Sequence, residues 1–242
     1  MNGWMYAFSV VICRVKYYTP VSPVIIMFEP VNRNILRWGT PDPEGDWIMY
    51  GHIVHDEQRC IMIDPPLVPG LIESTARLGK LEAVILTTLD HTRGAKYIAE
   101  KTGATLFIPD QVKSTCVDPE AVLAQKGIRE FQKYSNGDLL GLKPYRVTAE
   151  GESTANKPWM DEFALLVPQD CLIVGDVAIG TAEGSIILAP EWFPHIPPHP
   201  AHPPVLREFS KVVLNSGATS LLASHGNNVY GHLREIMKSG KH

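Results

Sequence analysis

Several things this sequence lacks narrow what it can be. Its four cysteines, Cys13, Cys60, Cys116 and Cys171, stand alone among 242 residues. No C-x-x-C pair and no disulfide-framework spacing occurs, so a reducing, cytoplasmic setting is expected. No run reaches the roughly 20 apolar residues that span a bilayer, and no membrane association is expected. Basic clusters are missing as well. The 22 Lys and Arg are outnumbered by 26 Asp and Glu, for a net charge of −4, so the chain has no electrostatic footprint for a phosphate backbone and no nucleic-acid partner is expected. Trp4 to Cys13 is apolar and of signal-peptide length, but no positive charge precedes it and no small-residue cleavage site follows. Tyr6 to Tyr17 is either a strand or sequence upstream of a start at Met27.

What is present is globular. A hydrophobic content of 45% with 8% aromatics can bury a large core. One domain over residues 1–242 is expected, with 1–30 left unassigned and 189–204 as a proline- and histidine-rich loop. Proline cannot sit in a helix interior or central strand, which makes that last stretch an ordered surface loop or lid. It carries His195, His199 and His202, which the prolines keep off any shared helical face.

The most informative stretch is Val84 to Pro109. A short apolar run, Ala83 to Leu86, predicts a buried strand; Thr87 to Thr92 is a polar loop; Gly94 to Thr102 has helical spacing; Ala104 to Ile108 is a second strand. The loop of this βαβ unit carries Asp90 and His91. A carboxylate beside an imidazole, just past the C-terminal end of a buried strand, lies where open α/β sheets place ligands. Asp90 could equally cap the helix that follows.

Other elements follow from alternation and turn residues. Trp47 to His55 and Arg59 to Ile63 predict a hairpin ending in Asp64-Pro65-Pro66, with His52 and His55 on its solvent face. Leu67 to Leu78 predicts a helix, as do Pro119 to Lys126, Val205 to Ser216 and Tyr230 to Met237. Lys143 to Ala149, Glu162 to Val167, Cys171 to Val174 and Ser220 to Ala223 predict strands, the last two ending in Gly175-Asp176 and Ser224-His225-Gly226. Strands thus deliver Asp64, the Asp90-His91 pair, Asp176 and His225.

This arrangement resembles the metallo-β-lactamase fold superfamily over roughly Trp47 to His225. In that family a strand ends in Asp, then come a T-H-x-H-x-D-H loop, a G-H, a G-D and a terminal His. The corresponding residues here are Ile63-Asp64, Thr87-Thr88-Leu89-Asp90-His91, Gly151-Glu152, Gly175-Asp176 and His225-Gly226. The resemblance implies an α/β fold, a four-layer αβ/βα sandwich with metal loops along one edge of two facing sheets. It also implies which ligands are gone. Thr88 stands where the family has a second loop histidine and Glu152 where it has the G-H histidine, so the first metal site has lost its imidazoles. The second keeps Asp90, His91, Asp176 and His225.

That pattern has two main readings. In one, a single divalent ion (Zn, Fe or Mn) is held by those four residues and serves hydrolysis of a small-molecule ester, thioester, lactone or phosphoester. Asp64 and Thr88 would then support the loop from behind, Asp176 would sit at the reacting centre, and Glu152 would act as general base. In the other, the fold survives as a catalytically inactive binding or scaffold protein. Lesser readings are an oxygen-rich first site of Glu152, Thr88 and Asp176 for Mn or Mg, and a nuclease of the same superfamily. The sequence sets neither the substrate nor the oligomeric state.

Overall fold

A computed structural model of the chain describes residues 26, 28–43, 45, 47–56, 58–110, 119–149, 160–189, 191–192 and 202–239. Glu152, His195, His199 and the N-terminal run Tyr6 to Tyr17 lie outside the described residues.

The architecture follows from which faces of its strands are apolar. Seven strands run in spatial order β1 (Glu29–Asn32), β2 (Ile35–Pro41), β3 (Ile48–His55), β4 (Arg59–Ile63), β5 (Lys80–Ile85), β6 (Thr105–Pro109) and β7 (Gln132–Tyr134). The first four pair antiparallel and β4 to β7 pair parallel. A second sheet has β8 (Lys143–Ala149), β9 (Met160–Val167), β10 (Cys171–Val174) and β13 (Ser220–Ala223), with β13 parallel to β10 at one edge. A hairpin of β11 (Ala178–Gly180) and β12 (Ile186–Leu188) stands apart.

Both faces of each sheet are apolar, so each needs cover on both sides, and the result is four layers. Between the sheets Ile61, Ile63, Ala83 and Ile85 meet Phe163, Leu165, Ile173 and Leu222. Outside the first sheet lie α1 (Leu71–Thr75), α2 (Ala95–Thr102) and α3 (Pro119–Gln125), burying Leu71, Ile98 and Val122 against Met62, Val84 and Ile108. Outside the second, α4 (His202–Ser216) and α5 (Leu233–Ser239) bury Phe209, Val213 and Leu233 against Val147, Leu172 and Leu221. No described helix is long and apolar enough to cross a membrane.

Among the expectations that change, three have a clear physical reason. The helix predicted over Leu67 to Leu78 occupies Leu71–Thr75, because Pro69-Gly70 delays it and Gly70 takes a left-handed φ of 80°. Helix α4 starts at His202, not Val205, with Pro203 and Pro204 in the first turn, where no N–H is needed. His52 is fully buried, not solvent-facing. Strand β3 is internal to a sheet covered on both faces, so alternation there does not mark an exposed side.

Phe163 is 0% exposed at the centre of the inter-sheet layer, its ring edge-on to Tyr134 at 5.2 Å. Phe163→Ala is expected to lower unfolding free energy by about 3–5 kcal/mol in urea titration. Tyr97→Ala, at a 47% exposed site, should stay within about 0.5 kcal/mol.

Candidate metal centre

The site is built where two parallel strand pairs, β4 with β5 and β10 with β13, end at the same edge of the facing sheets. Two backbone bonds stitch the sheets together there: Phe163 N–H donates to the Thr87 carbonyl at 3.0 Å and Tyr50 N–H to the Ser224 carbonyl at 2.9 Å.

Asp64, at the end of β4, is wholly buried and turns with a left-handed φ of 47°, which a short polar side chain tolerates. Its carboxylate accepts from Thr87 N–H at 2.8 Å, Thr87 Oγ1 at 2.5 Å, Ser224 Oγ at 3.0 Å and His91 Nδ1 at 2.9 Å. Burial opposes its ionisation, but His91, Arg93 and these hydrogen bonds outweigh that and hold its pKa below the usual value. Beyond β5 the chain makes one 3-10 turn, Leu89–His91, capped by the Thr88 hydroxyl, which accepts from Asp90 N–H at 3.3 Å. Leu89 is buried and anchors the turn.

That turn separates the neighbouring pair singled out in the sequence. His91 points inward, its Nε2 3.1 Å from Asp176 Oδ1. Asp90 is directed elsewhere: its carboxylate accepts from Thr88 Oγ1 at 3.3 Å, and among the described residues the group of mutually close ligand atoms comprises His91, Asp176 and His225 without it. Successive residues of a 3-10 turn differ by about 120° in direction, so the two side chains leave the turn on different faces. Of the four expected donors, three are brought together among the described residues. Thr88 serves as the cap rather than facing the cluster alone.

The test for a divalent ion is whether these three donors could share one. One atom from each lies within 4.8 Å of the others, with His91 Nε2 at 3.1 Å and His225 Nε2 at 3.5 Å from Asp176 Oδ1. Tetrahedral bonds of about 2.0–2.1 Å put neighbouring donors roughly 3.3 Å apart, so the spacing fits. The Asp64 carboxylate on His91 Nδ1 is the outer partner that metal-bound histidines ordinarily have. The residues present fit one ion with three protein ligands.

Four contributors, Glu162, Trp47, Trp192 and Arg93, gave weak or no sequence signal. Glu162, buried in β9, accepts from the backbone N–H of Asp176 at 2.8 Å and of Val177 at 3.1 Å, fixing the turn that presents Asp176. Gly175 is needed beside it, since an added Cβ would stand 2.7 Å from Thr87 Oγ1 and 3.1 Å from Glu162 Oε2. Trp192 donates Nε1–H to the Asp176 carbonyl at 2.9 Å and, with Trp47, walls the His225 ring at centroid distances of 5.4 and 5.9 Å. Arg93, partly buried, donates through Nη1 to the carbonyls of Tyr50 at 2.9 Å and Asp64 at 3.0 Å, and its Nη2 lies 3.1 Å from His225 Nε2. A carboxylate inside an apolar strand is a legible hint for Glu162; an arginine two residues before a helix gives none.

The charges settle into opposite protonation states. Burial pushes His225 down to about 4, with Asp176 opposing and His91 and Arg93 assisting. It is therefore neutral at neutral pH. Burial and Arg93 also press on His91, but Asp176 and Asp64 overcome them and raise it to about 9. Glu162 is raised as well, by burial and by Asp176, while Asp176 is strongly lowered because His91, His225 and Arg93 outweigh its burial. Burial pushes His52, facing Arg37 across the ladder, down to about 3.

For the chelator-stripped protein the sign for His91 is fixed. Between its ordinary 6.5 and about 9 the folded state holds a proton the unfolded state has lost. The stabilisation is complete below pH 6.5 and disappears as pH rises through 9. Urea titrations are expected to lose roughly 1–3 kcal/mol across that window. His91→Gln should flatten most of the slope, leaving the smaller part that Glu162 contributes in the same direction; an undiminished slope would assign the effect to other groups.

No protein-family model and no curated protein matches the sequence. Solved structures do. The fold is similar to that of DIM-1 metallo-β-lactamase exposed to ceftazidime, at 14% identity over 90% of this chain and 97% of that one, TM-score 0.62. It is also similar to metallo-β-lactamase FIM-1 from Pseudomonas aeruginosa in its mono-zinc form, at 14% identity over 89% and 94%, TM-score 0.59. An archaeal metallo-β-lactamase superfamily protein from Sulfolobus tokodaii has 17% identity over 84% of each chain, TM-score 0.52. Identities this low speak for architecture alone, and on that ground the chain has the metallo-β-lactamase fold, with a His-Asp-His cluster suited to a divalent metal at the edge where its two sheets meet.

Proposed function

We propose that this protein is a hydrolase dependent on one divalent ion (Zn, Fe or Mn), held by His91, Asp176 and His225, and acting on a small-molecule ester, thioester, lactone or phosphoester. The observation that carries the reading is the convergence of three buried donors from three separate loops at coordination spacing. When bound, such an ion polarises a carbonyl or phosphoryl oxygen and makes water more acidic. Asp64 fixes the tautomer and direction of His91 by holding its Nδ1. Glu162 fixes the Asp176 turn. Trp47 and Trp192 form an apolar wall that limits water around His225. Glu152 is proposed as the general base.

One observation favours a second reading, a non-catalytic binding protein on this fold: Arg93 already makes a hydrogen bond at His225. Metal analysis after expression in medium supplemented with Zn, Fe and Mn separates the two. The hydrolase reading expects about one equivalent of one metal, lost in Asp176→Ala. Less than about a tenth of an equivalent would favour the binding protein. A screen of generic esters, thioesters, lactones and phosphodiesters should then find a turnover that falls at least 100-fold in Asp176→Ala, as expected when a metal ligand is removed.

A further inference from the structure

We propose that Arg93 is the resident cation of this site, and that a divalent ion enters only by displacing its guanidinium from His225. The proposal deepens the metal reading and rests on it for the identity of the incoming ion.

The argument begins with what a guanidinium can do. It has five N–H donors and no acceptor. At 3.1 Å from Arg93 Nη2, His225 Nε2 must therefore offer its lone pair. A divalent ion needs that same lone pair, since Nε2 is the His225 nitrogen 3.5 Å from Asp176 Oδ1. A donor nitrogen at 3.1 Å and a metal at about 2.0–2.1 Å along one lone-pair direction would stand roughly 1 Å apart. The two cannot coexist.

The arginine is held for this position. Its Nη1 is clamped by the carbonyls of Tyr50, in β3, and Asp64, at the end of β4, which leaves Nη2 directed at the cluster. Its backbone is in the left-handed region, φ 31°. The charge also matches. Asp64 and Asp176 both attract Arg93, so the guanidinium supplies beside these carboxylates part of the positive charge that a bound ion would supply. Among the described residues Asp90 is not part of the group of mutually close ligand atoms, leaving three donors to pull the equilibrium toward the ion.

The test is a zinc titration against a chromophoric chelator, on the full chain and on Arg93→Gln and Arg93→Lys. Arg93→Gln removes the competing charge and should bind zinc at least 10-fold more tightly than wild type. Arg93→Lys keeps the charge without the fork and should lie between wild type and Arg93→Gln. Equal affinity in wild type and a folded Arg93→Gln, or weaker binding in the variant, overturns the competition while leaving the metal reading intact. Zinc bound by neither overturns the metal reading and the displacement with it. A measurement on wild type guards against misfolding of the variants: the Arg93 side-chain Nε–H resonance, identified by its loss in Arg93→Lys, should shift on saturation with zinc. A resonance unmoved at saturation overturns the proposal.

Discussion

The Asp64 carboxylate is the knot on which the site and much of the sheet edge depend. It comes from the first sheet, and its four partners belong to the loop after β5 and to Ser224 beyond β13 of the second sheet. A wholly buried carboxylate without such partners would cost several kcal/mol. Here every partner it takes also fixes something else: Thr87 fixes the loop, His91 the cluster, Ser224 the approach of the second sheet. The inter-sheet core sets how far apart the layers lie, and Asp64 sets how their ends register.

From that knot the cluster follows by short connections. Residues 87 to 93 form a compact turn whose hydroxyl cap, apolar anchor and inward imidazole are three devices of one local structure. On the facing sheet, Glu162 does for Asp176 what Asp64 does for His91, holding it by the backbone rather than by the side chain. The two supporting carboxylates have different electrostatic surroundings, since Asp64 lies near His91 and Arg93 and is kept ionised, whereas Glu162 lies near Asp176 and is pushed toward its neutral form.

Much of this was legible in the sequence, for a physical reason. Asp64, Asp176 and His225 each end a short apolar run, and a polar residue that terminates a buried strand has only the sheet edge to occupy. Lys143–Ala149, Cys171–Val174, Ser220–Ala223 and Arg59–Ile63 agree with their expected bounds because turn residues bracket them. Direction within a turn was less legible: nothing in Asp90-His91 tells which of two adjacent side chains a 3-10 turn sends inward. Alternation also failed at His52, where cover on both faces of β3 buries residues that an exposed hairpin would show to water. Strand β2 was hidden by its Gly39 and Pro41, and β11 and β12 by being three residues long. Arg93 was hidden most completely, because arginine beside a helix start is usually a solvated charge.

The left-handed backbone at Arg93 has an evolutionary corollary. A long side chain held at positive φ costs on the order of 1 kcal/mol or more, which glycine would not incur. A mutation from Arg93 to glycine would therefore relax the main chain and vacate the guanidinium's place in one event, whereas installing an arginine on a relaxed loop must work against the backbone. Loss and gain of the built-in charge are thus asymmetric: removing the guanidinium from this position relaxes the main chain, whereas restoring it strains the main chain again.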